Sequence, residues 1–196
     1  MEKAQIISVL EECGAMLNGH FKLSSGLHSD TYIQCAKLLM YPNKAELLCK
    51  ELAKKIVYKF GEDAFDLVVS PAMGGILVGF ELSRHLSLPN IFCERVNGVF
   101  ELRRGFEIAP GSRILVVEDV VTTGKSSIET YKLIETLGGK IIAEASLINR
   151  SKSDLVGNTP LISLINIDVP TYDHENLPDH LKGTEAVKPG SRYSQQ

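Results

Sequence analysis

The chain has 196 residues, enough for one domain or for one domain with a small appendage. Its hydrophobic content is 44%, an ordinary value for a globular protein with a real core, and its net charge is -3. That balance argues against a nucleic-acid surface built on bulk positive charge, so an anionic ligand must be held by local cations or a metal.

The chain begins "MEKAQIISVLEECGAML", with acids inside the apolar pattern. This is no signal peptide, and no segment reaches 18 apolar residues, so a cytoplasmic protein that neither spans a membrane nor binds nucleic acid is expected. The periodicity predicts a helix over residues 2–17. Residues 19–37, "GHFKLSSGLHSDTYIQCAK", read as two short strands around a Ser-Gly turn. "PNKAELLCKELAKKIVYKF" reads as a helix that starts at Pro42, with Leu48, Leu52, Ile56 and Phe60 on one face. Strands and helices then alternate. "FDLVVS" is a strand, a helix follows from about Gly75 to Leu86, and "NIFCERV" and "SRILVVED" are strands. A helix runs from about Lys125 to Leu137 and stops at Gly138-Gly139, and "KIIAEASLINR" and "LISLINID" are strands. Such alternation implies an α/β fold with a mainly parallel sheet covered on both faces. Ligands of such sheets bind at the strand C-termini. The first 40 residues stand outside the alternation and are expected to form a small separate flap. Cys13, Cys35, Cys49 and Cys93 have neither CxxC nor zinc-ligand spacing and read as free thiols.

The chemistry concentrates in "VVEDVVTTGKSS", residues 116–127. Its Gly-Lys-Ser suggests a triphosphate-binding loop, but that loop needs a glycine where this chain has Asp119, and an acid there repels phosphate. "GGILVG" at residues 74–79 likewise lacks the dinucleotide spacing. Instead, a strand ending near Glu118 and Asp119 delivers two acids to the sheet edge. Residues 120–126 then form a loop into a helix, whose free N–H groups and the Thr122, Thr123 and Ser126 hydroxyls suit a monophosphate. The acids suit sugar hydroxyls, or a metal reached through water. The plainer alternative is a polar turn before a capped helix.

"ILVVEDVVTTGKSS" closely resembles the phosphoribosyl diphosphate (PRPP) signature of type I phosphoribosyltransferases. "FKLSSGLHSDTYIQ" resembles the opening signature of the orotate phosphoribosyltransferases, and "VVSPAMGGI" their diphosphate-binding loop. "ERVNGVFELRRGF" and "KPGSR" resemble a short-loop subgroup. The resemblance spans nearly the whole chain and implies the type I fold, with residues 1–40 as a hood over the base and residues 94–106 as a short lid. It implies transfer of ribose 5-phosphate from PRPP to orotate, with Mg2+ carried mainly by PRPP and water rather than by direct protein ligands. It assigns Glu118 and Asp119 to the ribose hydroxyls and, with Val120, Val121, Thr122, Thr123, Gly124, Lys125 and Ser126, to PRPP. Met73, Gly74 and Arg95 belong to the same PRPP set, while Thr122, Arg150, Tyr32 and Ile33 are assigned to orotate. Against these stand plainer readings: a strand-end surface arginine for Arg150, and flap core for Tyr32 and Ile33. A homodimer with shared active sites is also implied.

The chain departs from the better-known long-loop enzymes. Ser24 replaces a lysine, Met73-Gly74 a Tyr-Lys pair, and Val96 the lysine that follows the lid arginine. "LPDH" at residues 177–180 stands where many short-loop relatives carry a cysteine pair. Asn97-Gly98 between β-prone residues predicts a tight hairpin with Val96 and Val99 flanking its turn. Arg95, Arg103 and Arg104 are then the candidate catalytic cations of the lid, though Arg103 and Arg104 also read as a solvated basic pair. A purine or other phosphoribosyltransferase and a non-catalytic PRPP sensor are the competing functions.

Overall fold

A computed structural model describes residues 1–23 and 25–188. Ser24, Pro189–Arg192 of "KPGSR" and the rest of the polar tail lie outside the described residues.

Helix α1 spans Lys3–Glu12, shorter than the 2–17 expected. Cys13 caps it, Gly14 follows at φ +64°, and the chain turns there. Met16 and Leu17, which suited the helical period, instead open strand β1 (Met16–Lys22). β1 pairs antiparallel with β2 (His28–Ile33). Gly26, at φ +89°, donates its N–H to the Leu23 carbonyl in the turn between them. A one-turn helix, α2 (Cys35–Leu39), ends the segment that the sequence suggested was strand.

Helix α3 (Pro42–Phe60) has Pro42 at its first position, where the missing N–H costs nothing. Its Leu48, Leu52 and Ile56 are buried, each stabilising by about 1.5–3 kcal/mol relative to exposure. The second sheet then follows through β3 (Leu67–Pro71), α4 (Gly74–Leu86), β4 (Asn90–Val96), β5 (Val99–Leu102), β6 (Arg113–Val121), α5 (Lys125–Thr136), β7 (Lys140–Asn149), β8 (Leu155–Val156) and β9 (Thr159–Asn166). Its order is β5-β4-β3-β6-β7-β9-β8, parallel from β4 through β9 with antiparallel strands at both edges.

Strand alternation sorts the core into two clusters. On β6, Leu115 and Val117 join the cluster under α3 and α4, while Ile114 and Val116 join the one under α5. All four cysteines are free and buried. Asn97 and Gly98 both have positive φ, at 49° and 87°, and Val96 pairs with Val99 across their turn, as expected of a two-residue hairpin. The C-terminal segment runs back over the N-terminal hairpin: Tyr172 pairs with His28, Val187 pairs with Phe21, and the Ser29 hydroxyl donates to the Pro170 carbonyl at 2.7 Å.

Candidate active site

β6 runs on to Val121, so Glu118 and Asp119 lie within the paired strand and the connecting loop shrinks to residues 122–124. The sheet extends past the acids because Val120 and Val121 pair with Ile148 and Asn149. The Val121 side chain is buried, so only its main chain is left to face a ligand. Strand alternation also sends the two acids apart. Asp119 turns toward the start of α4, where a Cβ added to Gly74 would lie 2.6 Å from its Oδ1. Glu118 turns toward α5 and feels the charge of Glu144 on β7.

Both carboxyl groups are held above their ordinary range. Burial raises Glu118 to about 9, with Asp119 and Glu144 adding like charge. Burial raises Asp119 too, and its acceptance of the Val120 N–H at 2.9 Å pulls the other way. An acid pair so placed is short of partners that favour the charged form. Hydroxyl donors or a divalent cation supply that, which is how this donor set fits a sugar with a magnesium-bound diphosphate. Among the described residues, no three His, Cys, Asp or Glu side chains converge as a metal cage.

Gly124, at φ +71°, is the N-cap of α5, and a side chain there would collide with Val156. The Gly124 N-cap offers no side chain, the Thr123 hydroxyl meets the Lys125 N–H only at 3.4 Å, and no acid stands in the first turn. Thr122, Thr123 and Lys125 are exposed. The result is an open helix N-terminus suited to an anion. The Met73 side chain is exposed beside Gly74, and the Ala72–Met73 peptide is cis.

At the end of β7 the Arg150 N–H donates to the Val121 carbonyl at 2.8 Å, fixing it beside the loop. Its buried Nε has no hydrogen-bond partner among the described residues, and burial lowers its pKa. Tyr32 lies close enough to favour the charged form of Arg150. Tyr32 and Ile33 end β2, three and two residues before Cys35, whose thiol lies 3.9 Å from the Asp119 carbonyl oxygen. The short helix that follows the N-terminal hairpin thus packs against the main chain of Asp119.

The lid cations are less concentrated. Arg95 pairs with Glu129 of α5, donates to the Gly98 carbonyl at 2.8 Å and stacks 4.1 Å from the Phe100 ring centroid. Arg104, at φ 63°, pairs with Glu94 at 2.8 Å. Arg103 is exposed. A groove of about 610 Å3 bounded by Lys3, Lys55, Tyr58 and β9 contains none of the expected site residues.

Sequence reasoning missed Glu144. It is fully buried, its Oε1 accepts from the Ser127 hydroxyl at 2.7 Å, and its Oε2 accepts from the Tyr131 hydroxyl. The available signal was an acid inside the apolar run "KIIAEASLIN".

A mainly parallel sheet with an acid pair ahead of an open helix start is the arrangement expected of a phosphoribosyltransferase. Residues 40–176 match the phosphoribosyl transferase domain. The chain is 49% identical over 193 residues to the orotate phosphoribosyltransferase of Sphingopyxis alaskensis, covering 98% of each chain. It is 43% identical over 192 residues to that of Caldanaerobacter subterraneus, covering 98% of this chain and 99% of the other. Its fold also matches the crystal structure of the Aeropyrum pernix orotate phosphoribosyltransferase, with TM-score 0.71, 24% identity, and 83% and 93% of the two chains covered. The chain belongs to the phosphoribosyltransferase family and, within it, to the orotate phosphoribosyltransferases.

Proposed function

We propose that the protein transfers ribose 5-phosphate from PRPP to orotate, giving orotidine 5'-monophosphate and pyrophosphate for pyrimidine biosynthesis. The observation that carries this reading is the junction of the Glu118–Asp119 pair, the open start of α5 and the Arg150 Nε that has no partner among the described residues. Relatives at 43–49% identity over nearly their whole length are named orotate phosphoribosyltransferase.

Glu118 and Asp119 accept the ribose hydroxyls, and residues 122–126 hold the 5-phosphate through main-chain N–H groups and hydroxyls. Gly74 and Met73 bound the pyrophosphate. Arg150 binds the orotate carboxylate, because a planar guanidinium with a buried unpaired edge gains most from a bidentate anion. Tyr32, Ile33 and Thr122 enclose the base. As N1 of orotate attacks C1, the ribose gains positive charge, which the adjacent acids stabilise, while negative charge grows on the leaving oxygens. Mg2+ carried in with PRPP would neutralise part of that charge. Arg95, Arg103 and Arg104 supply the lid's cations. Catalysis on this reading is positioning and charge stabilisation.

A homodimer is favoured by an apolar stripe on α4. Met73, Leu77 and Phe80 recur at helical spacing and are 84%, 56% and 62% exposed, and Val99 at the hairpin turn is 65% exposed. No helix among the described residues is long and apolar enough to cross a membrane, which accords with a cytoplasmic enzyme. One observation favours a PRPP sensor without turnover: Arg95 and Arg104 are both occupied by acids. Assay with PRPP, magnesium and orotate, adenine, hypoxanthine or uracil decides. Pyrophosphate release with orotate alone is expected, whereas binding of PRPP without release would establish the sensor.

A further inference from the structure

Glu144 has no place in the reading above, yet it is the most deeply buried acid near the site. Its carboxylate meets Ser127 and Tyr131, which stand four residues apart and so share one face of α5. Ser127 lies in the first turn of that helix, three residues after the loop at residues 122–124. Glu144 itself is fixed by the sheet, pairing with Val116 two residues before Glu118. One side chain therefore ties the strand that carries the acid pair, through β7, to the helix start that faces the phosphate.

An apolar residue at this position would fill the same space without the cost of burying a carboxyl group. Burial lifts Glu144 to about 7 even though the Tyr131 and Ser127 hydroxyls favour its charged form. Two hydroxyl donors on one helix face fix the rotation and depth of α5 against the sheet more narrowly than packing does, because hydrogen bonds are directional.

We propose that Glu144 is a positioning residue, which sets the register of the α5 N-terminus on the sheet so that its N–H groups meet the 5-phosphate of PRPP. This rests on the reading that residues 122–126 bind that phosphate. Its consequence falls on PRPP rather than on orotate, whose proposed partner Arg150 is held by β6 and β7 independently of α5.

The test is steady-state kinetics on Glu144→Ala, Glu144→Gln, Ser127→Ala and Tyr131→Phe, with a Thr123→Ala/Ser126→Ala loop variant as reference. Glu144→Ala is expected to raise the PRPP KM at least tenfold and leave the orotate KM within about twofold. Glu144→Gln is expected to stay within about threefold of the parent, since an amide can accept from one hydroxyl and donate to the other. Ser127→Ala, at the first turn, should raise the PRPP KM more than Tyr131→Phe, one turn further on. KM does not depend on how much of the enzyme is folded, so a purely structural role lowers the melting temperature and leaves both KM values in place. That result would overturn the proposal, as would equal increases in both KM values. If Glu144→Ala does not fold, Ser127→Ala and Tyr131→Phe carry the test, and an unchanged PRPP KM in both overturns it. If the loop variant leaves the PRPP KM unchanged, the phosphate-loop reading fails and the positioning role fails with it. A loop variant that raises the PRPP KM, beside Glu144 variants that do not, overturns the Glu144 role alone.

Discussion

Replacing Gly74 with alanine should separate activity from stability. The added Cβ would lie 2.6 Å from Asp119 Oδ1, 2.8 Å from its Cγ and 2.9 Å from Oδ2, whereas ordinary contact starts at 3.4 Å. The carboxylate must therefore retreat by roughly 0.8 Å if the helix stays put. A displacement near 1 Å at a reacting centre costs on the order of 10²-fold in rate. The fold is affected far less. Gly74 is the first residue of α4 and its φ is not positive, so alanine suits the backbone there. Alanine gains about 0.5–1 kcal/mol over glycine in a helix, which offsets most of the crowding cost of about 1 kcal/mol. The expected outcome is a loss of kcat/KM for PRPP on the order of 10²-fold, with a melting temperature within about 4 °C of the parent. Activity within threefold of the parent would refute the role given to Asp119. Parallel collapse of activity and melting temperature would show that the effect is one of folding.

Glu118→Gln should stabilise the ligand-free protein at high pH. A carboxyl raised from 4.5 to about 9 binds more protons folded than unfolded, so its contribution to stability falls as pH rises through that window. The variant should melt above the parent near pH 8 and together with it near pH 4.5, while losing activity; a parallel offset at both pH values would contradict the burial of this charge. Arg150→Ala should raise the orotate KM by roughly 30- to 100-fold, the equivalent of about 2–3 kcal/mol for a charge-assisted pair, and leave the PRPP KM within about twofold. An unmoved orotate KM would return Arg150 to the surface. Phe80→Asp should convert a dimer to monomers in sedimentation; an unchanged mass would place the dimer contact elsewhere.

Where each stretch of chain carries its own periodicity, its structure could be read directly. The α3 and α5 helices and the central strands follow from apolar spacing, and the β4–β5 hairpin from Asn97-Gly98. The helical period runs on through Met16 and Leu17 and so overstates α1, which Gly14 ends before them. The depth of Glu118 and Asp119 within β6 was invisible for a different reason. Strand length there is set by pairing with Ile148 and Asn149, some 28 residues away. The approach of Tyr32 to Arg150, the strap of residues 170–187 over the N-terminal hairpin and the Glu144–Tyr131 contact are likewise long-range, and no local pattern encodes them. The acid pair and its loop were legible because one short segment supplies both.

The central claim is tested most directly by a crystal structure with ribose 5-phosphate bound. The account predicts the phosphate against the main-chain N–H groups between Thr123 and Ser126, with the sugar hydroxyls on Glu118 and Asp119. A phosphate held elsewhere, with the start of α5 vacant, would contradict it.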